Sequence, residues 1–197
     1  MKKWIAPALL LLAAGYYMFY YPPSVHKRQV KAALSAFIEA VETKDREQIA
    51  GALERFLSDD AEIRLEIHFF SISQLETPPV VQDFDKQSFI QFIDNTLYPL
   101  TDYAYYSQLE TFEREEDGGA RVVFSSREWA DGSNYYGGMA VAMRFSSNTE
   151  CKAKALFESG QPRLSQAICT MQFRSVPKPS EIGKMQNMDT LRNYLAP

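Results

Sequence analysis

The chain has 197 residues, enough for one domain and short for two. Its 21 Lys and Arg against 25 Asp and Glu give a net charge of −4 with no basic cluster to neutralise phosphates, which excludes an ordinary nucleic-acid binder. With two Cys and two His, no all-Cys/His metal site and no other cofactor is expected, while 46% hydrophobic residues suffice for a core.

Lys2 and Lys3 form a short basic start, and the 18 positions from Trp4 to Tyr21 carry no charge. A bilayer span needs about 20 apolar residues, with ~17 as the lower bound. Ala13–Ala14–Gly15 supplies small residues of the kind found at a signal cleavage site. The apolar run nevertheless continues through Tyr16, Tyr17, Met18, Phe19, Tyr20 and Tyr21, and tyrosines at its far end suit a membrane interface. Pro22–Pro23 predicts a helix stop. Residues 1–23 therefore read as a signal anchor, a transmembrane helix meeting the membrane through residues 4–21; a cleaved export signal is the alternative. The remainder, without Lys2 and Lys3, has 19 basic and 25 acidic residues, a net charge of −6.

Ser24 is placed to cap a helix running to about Thr43, with Val30, Ala33, Leu34, Phe37 and Val41 as its apolar stripe. Asp45 with Gln48 three residues on predicts a capping box for a second helix. That helix buries Ile49, Leu53, Phe56 and Leu57 and is expected to end at Ser58–Asp59–Asp60. From Ala61 to Phe70 the pattern alternates, Ile63, Leu65, Ile67 and Phe69 against Glu62, Arg64, Glu66 and His68, as in a half-buried strand. Pro78–Pro79 marks a loop and Val80–Val81 a short strand. Asp85 caps a third helix with Phe89, Ile90, Phe92, Ile93 and Leu97 as apolar positions, limited by Pro99. Strands follow at about 103–115 and 120–130, joined by the Asp117–Gly118 turn, and Asp131–Gly132 predicts a second turn. A long β segment is expected at about 135–157, bent or broken at Ser146–Ser147–Asn148. A turn at Ser159–Gly160 leads to a last strand at about 163–175. The domain thus spans 24–176, and the tail, 177–197, has Ile182, Met185, Met188 and Leu191 on one side of a short helix.

A last hairpin centred on Gly160 pairs residues whose numbers sum to 320, so Cys151 faces Cys169, Ala153 faces Ala167 and Phe157 faces Arg163. Non-hydrogen-bonded partners have Cα atoms about 4.5 Å apart, at the short end of disulfide range. Met143, Phe145, Ala153, Ala155 and Phe157 share the parity of Cys151, and Ala167, Met171 and Phe173 that of Cys169. A disulfide on the apolar side of the sheet is therefore expected in an exported chain; two buried free thiols are the alternative.

The order helix, helix, strand, helix and then long antiparallel strands is that of an α+β fold. The stretches VKAALSAFIEAVETKDREQIAGALERFLSDDAEIRLEI and DKQSFIQFIDNTL, with the strands from Tyr103 to Arg174, resemble the nuclear transport factor 2-like superfamily. This is the cone fold shared with ketosteroid isomerases and polyketide-cyclase-like proteins. The resemblance covers about residues 25–176. It implies three helices packed on a strongly curved antiparallel sheet around a cavity, and it decides no function, since the fold hosts enzymes, ligand binders and assembly modules. Some bacterial inner-membrane assembly proteins, including those of type IV secretion, have a similar design of one span and one such domain. By that analogy the chain is expected in a bacterial inner membrane, single-pass, with the domain in the periplasm; secretion after cleavage is the alternative. There it would act as a non-enzymatic module binding an envelope protein or a second copy of itself. The other reading is a small apolar ligand binder, or a cofactor-independent isomerase or lyase, using the cone cavity.

An isomerase of this family needs a carboxylate base and a Tyr or protonated Asp inside an apolar cavity. Tyr103, Tyr105, Tyr106, Tyr135 and Tyr136 lie in or near strands, and Asp102, Glu110 and Glu128 are the acids at hand, but no pair matches the family's pattern and no catalytic residue is assigned. Tyr106, Phe112, Trp129, Met143, Met171 and Phe173, with Met139, are the candidates for lining a ligand cavity, and they suit a filled core equally. Arg127, Arg144 and Arg174 would fix a carboxylate at the cavity mouth or pair with Glu110, Glu128 or Glu150 across strands. His68, beside Glu66, reads as a hydrogen-bonded surface group with a general base as the alternative, and His26 as an interfacial residue. The acidic run from Glu113 to Asp117 reads as a solvated turn.

Overall fold

The computed structural model describes residues 22–70, 78–97, 99–136 and 139–181. The run expected to be an anchor up to Tyr21, the residues of the expected tail helix beyond Glu181, and the side chains of Tyr135, Tyr136 and Met139 lie outside the described residues. Among the described residues, no helix is long and apolar enough to cross a membrane.

Helix α1 (Pro22–Thr43) starts before Ser24, because prolines fit a first helical turn whose N–H groups have no intrahelical acceptor. Val30, Leu34 and Val41 of its expected stripe are buried. Helix α2 (Arg46–Phe56) is capped by Asp45, whose carboxylate accepts from the N–H groups of Glu47 at 2.9 Å and Gln48 at 3.1 Å. The expected box closes differently. The Gln48 amide donates to the Asp45 carboxylate, and the Asp45 N–H donates to Thr43 Oγ1.

Strand β1 (Leu57–Phe70) follows α2 directly, so Ser58–Asp59–Asp60 belongs to the strand. A bulge between Leu57 and Glu62 hides its alternation there, and buried Ser58 donates to the Leu164 carbonyl at 3.1 Å. Strand β2 (Val80–Phe84) leads into α3 (Lys86–Leu97), which Asp85 caps through the Ser88 N–H at 2.8 Å. The apolar positions of α3 are half-buried; its buried residue is Lys86, 6% exposed, with Nζ 2.8 Å from both Glu54 Oε2 and Asp59 Oδ1. That cation ties α3 to α2 and β1.

Strands β3 (Thr101–Arg114), β4 (Ala120–Tyr136), β5 (Met139–Glu158) and β6 (Gln161–Pro177) form an antiparallel meander. β6 then pairs with β1 in parallel, giving the sheet order β2-β1-β6-β5-β4-β3. Asp131–Gly132 makes no turn but sits inside β4, opposite Arg144 and Met143. Asp131 is held there by Lys178 Nζ at 2.7 Å and Arg144 Nε at 3.2 Å. A Cβ on Gly132 would stand 2.9 Å from the Phe145 ring, so glycine is required by packing. β5 runs unbroken through Ser146–Ser147–Asn148.

Cys151 pairs with Cys169 and the disulfide is formed, with Cα atoms 4.0 Å apart. Ala153 faces Ala167 as expected, but Phe157 faces Pro162 rather than Arg163. The turn is a two-residue Ser159–Gly160 loop with φ of 50° and 79°, and a bulge after Lys154 restores the outer register. The helices pack on one face of this sheet, with α1 against β3 and β6 and α3 against β1.

Candidate functional site

Alternation along β3 to β6 and β1 lays successive rungs across the concave face. One rung is Tyr105, Glu128, Ser147, Phe173 and Phe69. The next is Ser107, Ser126, Thr149, Met171 and Ile67; the third is Leu109, Phe124, Cys151, Cys169 and Leu65. Between these rungs and the apolar faces of α1 and α3 lies a cavity of about 330 Å³, with Phe37, Phe89, Phe92 and Leu97 on the helical side.

Glu128 is the one charged group lining the cavity among the described residues. Its Oε2 accepts from the Tyr103 hydroxyl at 2.6 Å, and its Oε1 accepts from Ser147 Oγ. Tyr103 is stacked beside Tyr105, with ring centroids 6.4 Å apart. Burial, then the Glu128 charge, pushes the Tyr103 phenol far above the usual tyrosine range. Burial drives Tyr105 the same way. Both phenols therefore keep their protons at neutral pH, and Tyr103 donates its own to Glu128. Thr149 Oγ1, one rung below Glu128, is buried without a hydrogen-bond partner. An apolar chamber with one carboxylate, fixed donors and a spare hydroxyl can orient a small molecule and exchange a proton with it.

Of the residues proposed from the sequence, Trp129, Met171 and Phe173 border the cavity, and Tyr106, Phe112 and Met143 are not among its lining residues. Tyr106 has the outward parity on β3, is 56% exposed and donates to Gln108. The bulge between Leu109 and Thr111 turns Phe112 into the core, edge-on to Phe157. Met143 is fully buried beside Gly132 and Pro177. Trp129 is itself 53% exposed, at the rim. No Arg lines the cavity among the described residues. Arg144 pairs with Asp131 rather than with Glu110, Glu128 or Glu150, and the Arg174 guanidinium lies 5.4 Å from the Phe70 ring centre.

His68 is 2.7 Å from Glu66 Oε1, and neither lines the cavity. His26 stacks on Phe157 at 3.9 Å, and burial lowers its pKa. Among the described residues, no group of three or more His, Cys, Asp or Glu is arranged to hold a metal. The pairing of Glu128 with Tyr103 and Ser147 escaped the sequence reading. Its signal was parity, since Glu128 continues the inward series Phe124, Ser126 and Ala130.

No family model and no curated protein matches the chain. Solved structures do match. A type 2 hexachlorocyclohexane dehydrochlorinase superposes with a TM-score of 0.50 at 11% identity, over 77% of this chain and 88% of that one. A candidate scytalone dehydratase from Novosphingobium aromaticivorans gives a TM-score of 0.51 at 7% identity, over 79% and 87%. An NTF2-like protein of unknown function from Silicibacter pomeroyi gives 0.41 at 16% identity, over 75% and 97%. The chain shares the α+β fold of the first two, a curved sheet with helices on one face, consistent with an NTF2-like cone. At these identities the likeness concerns the fold alone, and the NTF2-like cone supports several chemistries.

Proposed function

We propose that the protein binds a small, mostly apolar molecule in the cone cavity, with Glu128 as the polar anchor, on a domain tethered through residues 4–21 to a bacterial inner membrane and facing the periplasm. The observation that carries the binding reading is a carboxylate set in an apolar chamber and held by Tyr103 and Ser147. The tether is supported by the uncharged run from Trp4 to Tyr21. The periplasmic placement is supported by the disulfide, which suits an oxidising compartment. Proton abstraction by Glu128, the chemistry of a lyase or isomerase, uses the same geometry.

The test is fluorescence titration of the full chain with the neutral apolar dye N-phenyl-naphthylamine, beside Met171→Trp, which fills the chamber from β6. The reading expects saturable enhancement that Met171→Trp removes. Enhancement of equal size in both proteins would sink it. The assembly-module reading would then stand, resting on the exposed Tyr106, Trp129 and Ile168.

A further inference from the structure

Resting on the binding reading above, we propose that the cavity selects apolar amines in their cationic form, with the ammonium group seated on Glu128, over carboxylates and neutral molecules of the same shape.

A carboxylate in an apolar chamber loses hydration that two hydroxyl donors replace only in part. Tyr103 and Ser147 occupy one acceptor site on each oxygen, and a carboxylate offers about four. The unused sites face a space with no Lys, Arg or His on its lining among the described residues. Arg144 and Lys178, which meet β4 three residues from Glu128, are engaged on Asp131. The charge missing from this site is thus a positive one, and the ligand is left to bring it.

The surroundings favour a cation over other donors. Tyr105 meets Phe37 edge-on at 5.8 Å, and Phe145 stacks on Phe173 at 5.9 Å, so the carboxylate sits among aromatic rings. Ring faces carry negative potential and attract ammonium groups. Thr149 Oγ1, buried and without a partner, is a further acceptor on the cavity lining. A carboxylate ligand would instead bring a second negative charge beside Glu128 with no cation to share. About 330 Å³ accommodates an aromatic or alicyclic body of modest size.

The test is calorimetric titration of the full chain at neutral pH with naphthylmethylamine, naphthylmethanol and naphthoate, which share one apolar body. The amine is expected to bind about tenfold or more tightly than the alcohol, as charged hydrogen bonds exceed neutral ones, with naphthoate weakest. Glu128→Gln is expected to erase the amine's advantage over the alcohol. An amine no tighter than the alcohol, or naphthoate tightest, overturns the selectivity while leaving the cavity reading standing. Persistence of the amine's advantage in Glu128→Gln also overturns it. If none of the three binds, both readings fall. Should Glu128→Gln not fold, the ranking on the unaltered chain decides.

Discussion

Glu128 and Asp131 stand three residues apart on β4 and serve opposite purposes. Asp131 points to the convex side, where Lys178 and Arg144 neutralise it and hold its carboxyl below the usual range. Glu128 points inward and meets hydroxyls alone. Parity decides this, and parity was readable from the sequence; which of several tyrosines would reach the acid was not, because it depends on the bulges in β3. Tyr103 carries a pH signature. Tyrosine ordinarily titrates near 10, and burial with the Glu128 charge raises the folded value above that. The unfolded chain therefore releases this proton first. The contribution to stability is complete below about pH 10 and is lost as the pH rises towards the folded value. Urea midpoints should fall on the alkaline side, and Tyr103→Phe should make the fall shallower. An identical alkaline limb in the variant would assign the loss to other groups.

At the scale of elements, the starts of α2 and α3 were legible because caps are local: Asp45 and Asp85 each bond N–H groups two or three residues away. The Asp117–Gly118 turn was legible for the same reason, with Gly118 at φ 89°. Asp131–Gly132 misled because its meaning is set across the sheet, by Arg144 and the Phe145 ring. Gly132→Ala should therefore destabilise by about 1–3 kcal/mol through overpacking against Phe145, read as a lower urea midpoint at neutral pH. An unchanged midpoint would refute the packing account. Bulges were the other blind spot. Those at Leu57/Glu62 and after Lys154 move registers by steps that alternation does not record.

For the whole molecule, the order of helices and strands was enough to expect a cone, and the numbering symmetry of the last hairpin was enough to place the disulfide. Closing a loop of 18 residues constrains the unfolded chain by about 3 kcal/mol, here beneath the chamber itself. The chamber was not legible, because a void depends on how tightly side chains from eight elements approach, and composition does not say whether Phe and Met fill a core or line one. The parallel seam between β1 and β6 has a consequence in time. β3 to β6 are neighbours both in sequence and in the sheet, so this meander can assemble as each strand is made. β1 has only short β2 beside it until the last strand arrives, across 106 residues from Ser58 to Leu164. Distant pairings close slowly. In refolding, sheet signal should therefore precede dye-binding competence, and simultaneous recovery would argue against this order. The pocket would then be the last thing the chain acquires, and a nascent chain lacking β6 would expose β1 as an apolar edge in need of a chaperone.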